Sequence, residues 1–482
     1  MTKRTRWLRS NLHALWRGIA LLILSLAVTA ASQAEVRLPR ILGDHMVLQQ
    51  GMPIRIWGWA SPGERVSVAL AGQSASTMAS PEGKWEVILE PVAAGGPHEL
   101  IIAGTNKIQL SNILVGEVWI GSGQSNMQWD VQRSMNPEEE IAAANWPKIR
   151  LFTVTRTIAQ APQEDCDGTW KVCSPETIAD FSAVLYFFGR KLHQELGVPV
   201  GLINSSWGGT VAEAWTSREA LEGDPDFQPI LERAATFNPK NPNQAAVLFN
   251  GMIHPLLPLR IRGVIWYQGE SNVSRAAQYQ KLFPVLIQDW RKRWGMGELP
   301  FYFVQLAPFR YKNADPRNCA ELREAQRLTL SLPNTGMAVT TDIGDVNDIH
   351  PRNKQEVGRR LALWALAKTY GQDVVYSGPL YRAAKIEGNR IRIEFDHVDG
   401  GLVAKGGELT HFQIAGADGE YRLASAVIDG ETVVVHSPEV TQPVAVRFGW
   451  SDDAEPNLFN AAGLPASPFR TDDFPLITAG NK

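Results

Sequence analysis

The spacing of apolar and polar positions divides the chain into three rhythms. From Glu35 to about Leu110 the runs are short and often alternate with period two, as in "IRIWGWA", "RVSVAL", "KWEVIL" and "HELIIAG". Turn signals such as "SPGE", "SPEGK" and "AAGGP" separate them. Strands of this length and spacing predict a β-sandwich-type segment. From about Ile113 to Gly371 strand-like runs ("ILVGEVWIG", "VGLINSS", "IRGVIWYQG", "FYFVQLAP", "TGMAVTT") alternate with helical ones. "FSAVLYFFGRKLHQEL" stops at Gly197 with Pro199 beyond, a normal helix end. "AAQYQKLFPVLIQDWRKRWG" has Leu282, Val285, Leu286 and Trp290 at helical spacing, with a kink expected at Pro284. "NKQEVGRRLALWALAKTYG" reads as an amphipathic helix ending at Gly371. This alternation predicts an α/β fold whose parallel sheet is covered on both faces. After about Val374 the β rhythm returns in "RIRIEFDHV", "HFQIAG", "SAVIDGETVVVHS" and "PVAVRFGWS", and "SPFRTDDFPL" reads as a surface strap.

The first residues follow a different logic. Lys3, Arg4, Arg6, Arg9 and Arg17 precede an apolar run, Ile19 to Val28, and Ser32 and Ala34 are small residues placed for a cut before Glu35. This is the layout of a secretory signal peptide, with a run too short to span a bilayer comfortably. A retained anchor is the alternative. The expected divisions are therefore a leader at 1–34, a β domain at 35–112, an α/β domain at 113–373 and a β segment at 374–482. The mature chain is expected to be exported, to the periplasm or beyond, with no membrane span.

Composition narrows the class only slightly. Of 482 residues 44% are hydrophobic and 20% charged, and the net charge is −3. No long like-charge run suggests a nucleic-acid partner. Sixteen Trp are many; most are expected in the core, although Trp also stacks on sugar faces. The three Cys allow a Cys166–Cys173 disulfide in an exported protein, leaving Cys319 free. Their spacing makes no zinc site.

The chemistry gathers where a parallel sheet binds ligands, beyond the carboxyl ends of its strands. The segments there are "GSGQSNM" (Gly121 to Met127), "SSWGGTVAEAW" (Ser205 to Trp215), "QGESNV" (Gln268 to Val273) and "DIGDVNDIHPRNKQ" (Asp342 to Gln355). Each alone is an ordinary turn composition. Together they hold the parts of acyl-group hydrolysis. Ser125 is a nucleophile that needs a base; His350 is that base. Asp348 is the nearest carboxylate to orient it, with Asp345 second. The Ser125 and Gly209 backbone N–H groups and the Asn272 side-chain amide are donors suited to an oxyanion. Glu213 and Glu270 read as anchors of their loops rather than catalytic acids. His193 reads as structural, His45, His98, His397, His411 and His436 as surface or turn residues, and His254 as a residue beside the pocket at most. The G-x-S-x-G elbow is absent, since Met127 stands where its second Gly belongs.

Those four segments, with "ILGDHMVLQQGMPIRIWGWASPGE" before them, resemble the sialate O-acetylesterase-like carbohydrate esterases of the SGNH (GDSL-like) hydrolase superfamily. The resemblance covers nearly the whole mature chain. It implies a three-layer, flavodoxin-like catalytic core between flanking β segments, and Ser125 as nucleophile with His350 as base. It also implies an oxyanion hole from Ser125, Gly209 and Asn272. The expected activity is secreted, cofactor-free removal of O-acetyl groups from sialic acids or from plant polysaccharides. Many members place the acid three residues before the His; here that position is Asn347, so Asp348 and Asp345 both stay open. A non-catalytic carbohydrate-binding protein on a degenerate hydrolase core is the competing reading, and a protease or lipase the third.

Overall fold

A computed structural model describes residues 35–312 and 314–482; the expected leader at 1–34 lies outside the described residues. The chain forms two compact units. One combines the described residues up to Leu38 with Ile56–Leu89 and Leu100–Gln109, and the other combines Pro39–Arg55, Glu90–Glu99 and Leu110–Lys482.

The smaller unit is β throughout, as its alternation predicts. Strand Arg65–Leu70 pairs antiparallel with Gln73–Met78 on one side and with Leu100 to Ala103 on the other, while Ile54–Trp59 pairs with Lys84–Leu89. In "RVSVAL" every second residue, Val66, Val68 and Leu70, is buried; in "KWEVIL" it is Trp85, Val87 and Leu89. Successive side chains on a strand point to opposite faces, so this alternation leaves one face for the core.

The larger unit is built on a central mixed sheet. Its strands in chain order are β1 (Lys107–Gly123), β2 (Trp146–Thr153), β3 (Lys171–Cys173), β4 (Val200–Ser206), β5 (Gly263–Tyr267), β6 (Phe301–Val304) and β7 (Thr335–Ala338). They lie side by side in the order β7-β6-β5-β1-β4-β2-β3. All pairings are parallel except that of β3, which runs antiparallel to β2. The residues of β4, β5, β6 and β7 are all buried, which explains why β5 and β6 are apolar throughout rather than alternating.

Helices α1 (Ala183–Leu196), α2 (Ala276–Trp294), α3 (Arg317–Leu328) and α4 (Lys354–Trp364) complete the layers. On one face Trp119 of β1 meets Phe188 of α1 at 5.0 Å and stacks on Tyr302 of β6 at 6.0 Å between ring centroids. Gly358 of α4 fits against Phe187 and Val184 of α1 with no room for a β-carbon. On the other face Trp266 of β5 packs on Phe283 and Trp290 of α2. The chain order changes direction around β1, which has β5 on one side and β4 on the other. The carboxyl end of β1 is therefore a switch point, where an open α/β sheet leaves a crevice.

Local signals set the helix ends. Ser182 Oγ accepts the Leu185 N–H at the start of α1, and Gly197 closes it at φ +68°. Pro284 lies inside α2, which runs on to Trp294 and a left-handed Gly295. The last predicted helix ends its α-helical part earlier than expected: α4 stops at Trp364, and Ala365–Thr369 continue as a π-helical turn.

After α4, among the described residues, a two-stranded antiparallel pair, Leu402–Ala404 with Leu458–Asn460, accompanies two four-stranded antiparallel sheets. One has the order Leu380–Glu387, Arg390–Asp396, Thr432–His436, Ser425–Asp429; the other has Arg422–Leu423, Phe412–Ala415, Ala445–Phe448, Phe469–Arg470. Ile393, Phe395, Val433 and Val435 from the first join Ile414, Val446, Phe448 and Phe469 from the second in one buried cluster, as in a sandwich.

The Cys166–Cys173 bridge considered from the sequence is not formed. All three thiols are free and buried, and burial pushes Cys166 and Cys173 up to about 12. Trp119, Trp215, Trp266 and Trp290 are core residues with no exposed surface, as most tryptophans were expected to be. Trp129 and Trp207, in contrast, are only half-buried and stand on the two loops that meet at Ser125.

Candidate active site

β1 runs through Gly123 before the chain turns, so the glycines of "GSGQSNM" are not simply the turn. A β-carbon at Gly121 would strike the Leu185 side chain of α1 at 2.9 Å, so this glycine lets helix and strand close up. A β-carbon at Gly123 would lie 2.1 Å from the Tyr267 carbonyl oxygen, and its φ is +131°. Both the contact and the backbone angle require glycine there. Gln124 then donates its N–H to Tyr267 O at 2.9 Å. Its side-chain Oε1 accepts the N–H groups of Gly269 and Ser271 at 3.3 and 3.2 Å. The turn after β1 is thus sewn to the loop after β5, and Ser125 opens a single helical turn, Ser125–Gln128, at the surface of the crevice.

His350 comes to this serine from 225 residues away: its Nε2 lies 2.9 Å from Ser125 Oγ. The imidazole lies flat on Trp129, with centroids 4.5 Å apart and planes 16° from parallel. Beyond it Arg133 covers the same indole at 4.5 Å and is held bidentately by Asp130. Burial lowers the His350 pKa, the Lys354 and Arg133 charges lower it further, and Asp348 opposes them. Asp348 Oδ1 accepts the His350 backbone N–H at 2.9 Å and stands 3.7 Å from Nδ1, with 44% of its side chain exposed. Asp345 is occupied otherwise: its Oδ1 accepts the Asn347 N–H at 2.9 Å. Of the two carboxylates left open by the sequence, Asp348 is the one beside the imidazole.

The glycine segment reaches the same place. Gly208 donates its N–H to Gln128 Oε1 at 2.7 Å, and a β-carbon on Gly208 would sit 3.2 Å from Ser125 Cβ. Gly209 follows at φ +74°, a left-handed conformation that turns the peptide at the edge of the crevice. Asn272 is buried, and its amide orientation is fixed by its partners. Oδ1 accepts from Ala212 N at 3.0 Å and from Gln268 Nε2 at 2.6 Å, while Nδ2 donates to Glu213 Oε2 at 3.0 Å. Glu213 is in turn held by Arg275 at 2.6 Å. The anchor role read for Glu213 is therefore visible as a clamp on Asn272. One Nδ2 hydrogen remains for a ligand.

Of the other histidines, His98 and His436 lie in strands rather than turns, and His397 is part-buried against Trp364 and Tyr376. His193 Nδ1 bonds Val198 O at 2.6 Å in the last turn of α1, and His254 Nδ1 bonds Gln163 O at 2.7 Å. Among the described residues no group of three or more His, Cys, Asp or Glu could hold a metal ion. No helix among them is long and apolar enough to cross a membrane.

Two residues at the site went unread in the sequence. Asn126 is buried directly behind Ser125, and Lys354 is fully buried at the head of α4. Lys354 falls within the amphipathic helix predicted over "NKQEVGRRLALWALAKTYG". Its place three before Val357 and seven before Leu361 puts it on the buried face, which is the signal that marks it out.

A family model described as "Carbohydrate esterase, sialic acid-specific acetylesterase" matches residues 115–367. The mouse (Mus musculus) sialate O-acetylesterase is 33% identical over 427 residues, covering 75% of this chain and 79% of that protein. The human (Homo sapiens) one is 34% identical over 403 residues, covering 74% and 76%. Among solved structures, a carbohydrate acetylesterase from Xanthomonas citri superposes with a TM-score of 0.85 at 41% identity, covering 91% of this chain and all of that one.

Proposed function

The chain belongs to the sialic acid-specific acetylesterase family of carbohydrate esterases and is a carboxylic-ester hydrolase; on that premise we propose that it removes O-acetyl groups from carbohydrates through an acetyl-Ser125 intermediate. The observation that carries this reading is the 2.9 Å contact between Ser125 Oγ and His350 Nε2 at the switch point of the sheet. With its own proton on Nδ1, His350 accepts the Ser125 hydroxyl proton as Oγ attacks the acetyl carbonyl. The carbonyl oxygen becomes an oxyanion within reach of the Ser125 and Gly209 N–H groups and the Asn272 amide. The C–O bond to the sugar breaks, and the imidazolium returns the proton to the sugar oxygen. Water, deprotonated by the same imidazole, then attacks the acetyl-serine; the bond to Ser125 Oγ breaks, the imidazolium returns the proton to Oγ, and acetate leaves. Asp348 is the acid in this reading, holding the imidazolium from Nδ1. The strand arrangement supports an SGNH-type, flavodoxin-like core: without β2 and β3, the remaining parallel strands read 2-1-3-4-5 in chain order.

Two features bear on the sugar. Trp207, next to the glycine loop, offers a half-buried ring, and the Arg156 guanidinium lies 5.6 Å above it. Arg156 forms no ion pair among the described residues. A free guanidinium on an indole suits a substrate that bears a carboxylate, which favours a sialic acid over a neutral plant polysaccharide. Export through the leader read in residues 1–34 belongs to the same proposal. Acetate release from 9-O-acetyl sialic acid, acetylated xylan, xyloglucan and pectin tests the substrate, with Ser125→Ala as the control. Undiminished acetate release by Ser125→Ala would overturn the reading, whichever sugar is used.

A further inference from the structure

Behind Ser125 lies a set of polar groups that the acyl-transfer steps do not use. Asn126 Nδ2 donates to Glu270 Oε1 at 2.6 Å and to the Ile349 carbonyl at 3.0 Å, and its Oδ1 accepts from Lys354 Nζ. Asn126 follows the nucleophile in the chain, and Ile349 precedes His350. One side-chain amide therefore grips both halves of the Ser–His pair, which come from segments more than two hundred residues apart.

The ends of this amide are charged groups in an expensive place. Lys354 has no exposed surface, and Glu270 is 9% exposed with its second oxygen, Oε2, lacking a hydrogen-bond partner among the described residues. Withdrawing an ammonium and a carboxylate from water costs several kcal/mol each unless they are well paired. Here they are bridged by Asn126 rather than in contact. Burial pushes the Glu270 pKa up and brings Lys354 down to about 7, although Glu270 and Asp348 favour its charged form. An apolar residue at position 354 would fill the same face without that cost, but it would remove a positive charge from behind His350.

We propose that Asn126 and Lys354 are positioning residues of the esterase: Asn126 sets Ser125 in register with His350, and Lys354 supplies a positive charge that disfavours protonation of the imidazole. The inference rests on the Ser125–His350 reading above. The groups that act on His350 are Lys354 from α4, Asp348 from its own loop and Arg133 beyond Trp129. Those that act on Lys354 are Glu270 and Asp348, with the Tyr267 ring 5.4 Å from Nζ. At the acid end of the pH range Lys354 carries its charge, and there it keeps His350 able to accept a proton.

The test is the pH profile of kcat/KM for an aryl acetate, measured on the full chain and on Lys354→Met, Lys354→Gln and Asn126→Ala. Thermal unfolding and near-ultraviolet circular dichroism identify which variants are folded. Removing the charge is expected to move the acid limb of the profile upward by about 1 pH unit. Asn126→Ala is expected to lower kcat by roughly 10²-fold, with KM within about threefold. A limb displaced by less than about 0.2 unit in both folded Lys354 variants, together with a kcat for Asn126→Ala within about threefold of the parent, overturns the proposal. A purely structural role would lower the unfolding temperature without moving the limb. Ser125→Ala separates the two readings. If it stays active, the Ser–His mechanism fails; if it is inactive while these variants keep the parent's limb and rate, only the present inference fails.

Discussion

Asp348 stands 3.7 Å from the His350 ring nitrogen Nδ1 while accepting the backbone N–H of the same residue at 2.9 Å. Its carboxylate is thus pinned to the chain first and faces the imidazole at ion-pair range. A buried acid bonded directly to the imidazole contributes about 10⁴ to kcat in serine proteases. A half-exposed one at this distance contributes less, because solvent screens it. Asp348→Asn should lower kcat roughly 10- to 100-fold, and Asp345→Asn should stay within about threefold, since it only supports the Asn347 turn. Steady-state kinetics on the two variants decides the matter. A larger loss in Asp345→Asn would reverse the assignment.

The Asn272 amide has a hydrogen to spare only because Gln268, Ala212 and Glu213 hold it in one orientation. On the proposed mechanism this amide is an oxyanion donor, and truncating it to Ala should cost about 3 kcal/mol or roughly 10²-fold in kcat, with little change in KM. Glu213→Gln should show a smaller loss of the same kind. The outcome against this view is a rise in KM at constant kcat.

The pH dependence follows from the His350 environment. Burial and the Lys354 and Arg133 charges lower its pKa below the ordinary imidazole value of 6.5. The base must be neutral to accept the Ser125 proton. A lowered pKa therefore keeps it competent as pH falls, and activity is lost only below the usual imidazole range. The acid limb of kcat/KM reports that group in the free enzyme. A limb at or above 6.5 contradicts the environment described.

The cysteines give a simple check. Cys166, Cys173 and Cys319 are buried free thiols, so a thiol reagent should label none of them in the native protein and all three after unfolding. Reductant should leave the unfolding temperature unchanged. Only one reactive thiol in the denatured, unreduced protein would mean that two are bridged.

Five strands of the central sheet were legible in the sequence because they follow from side-chain period: β5 is a continuous apolar run, and in the smaller unit "RVSVAL" alternates. β2 and β3, at the edge of the sheet, went unread. Ser125, His350, Gly209 and Asn272 stood out as candidates because each lies just past a strand or heads a helix, at the edge where an open α/β sheet binds ligands. What escaped was whatever depends on partners distant in the chain. Helical spacing puts Lys354 on the buried face, but its partners there, Asn126 and the Tyr267 ring, come from distant segments. The Cys166–Cys173 spacing permits a bridge that the fold does not make. Both Asp345 and Asp348 accept a backbone N–H two residues on, and the loop path that brings only Asp348 to 3.7 Å from the imidazole Nδ1 is not written in the local spacing. The helix Arg317–Leu328 gave little apolar signal because it buries Arg323, Glu324 and Gln326 along with its apolar residues.

The two glycines beside the nucleophile close different doors to laboratory evolution. At Gly123 any β-carbon collides with the Tyr267 carbonyl, so that codon is invariant in any randomised library, whatever the neighbours become. At Gly209 nothing lies within 4 Å of where a β-carbon would go, and only the sign of φ forbids it. That is a constraint of handedness rather than of room. A D-alanine introduced by chemical ligation would fit there without strain, offering a way to stiffen one wall of the crevice that ribosomal synthesis does not.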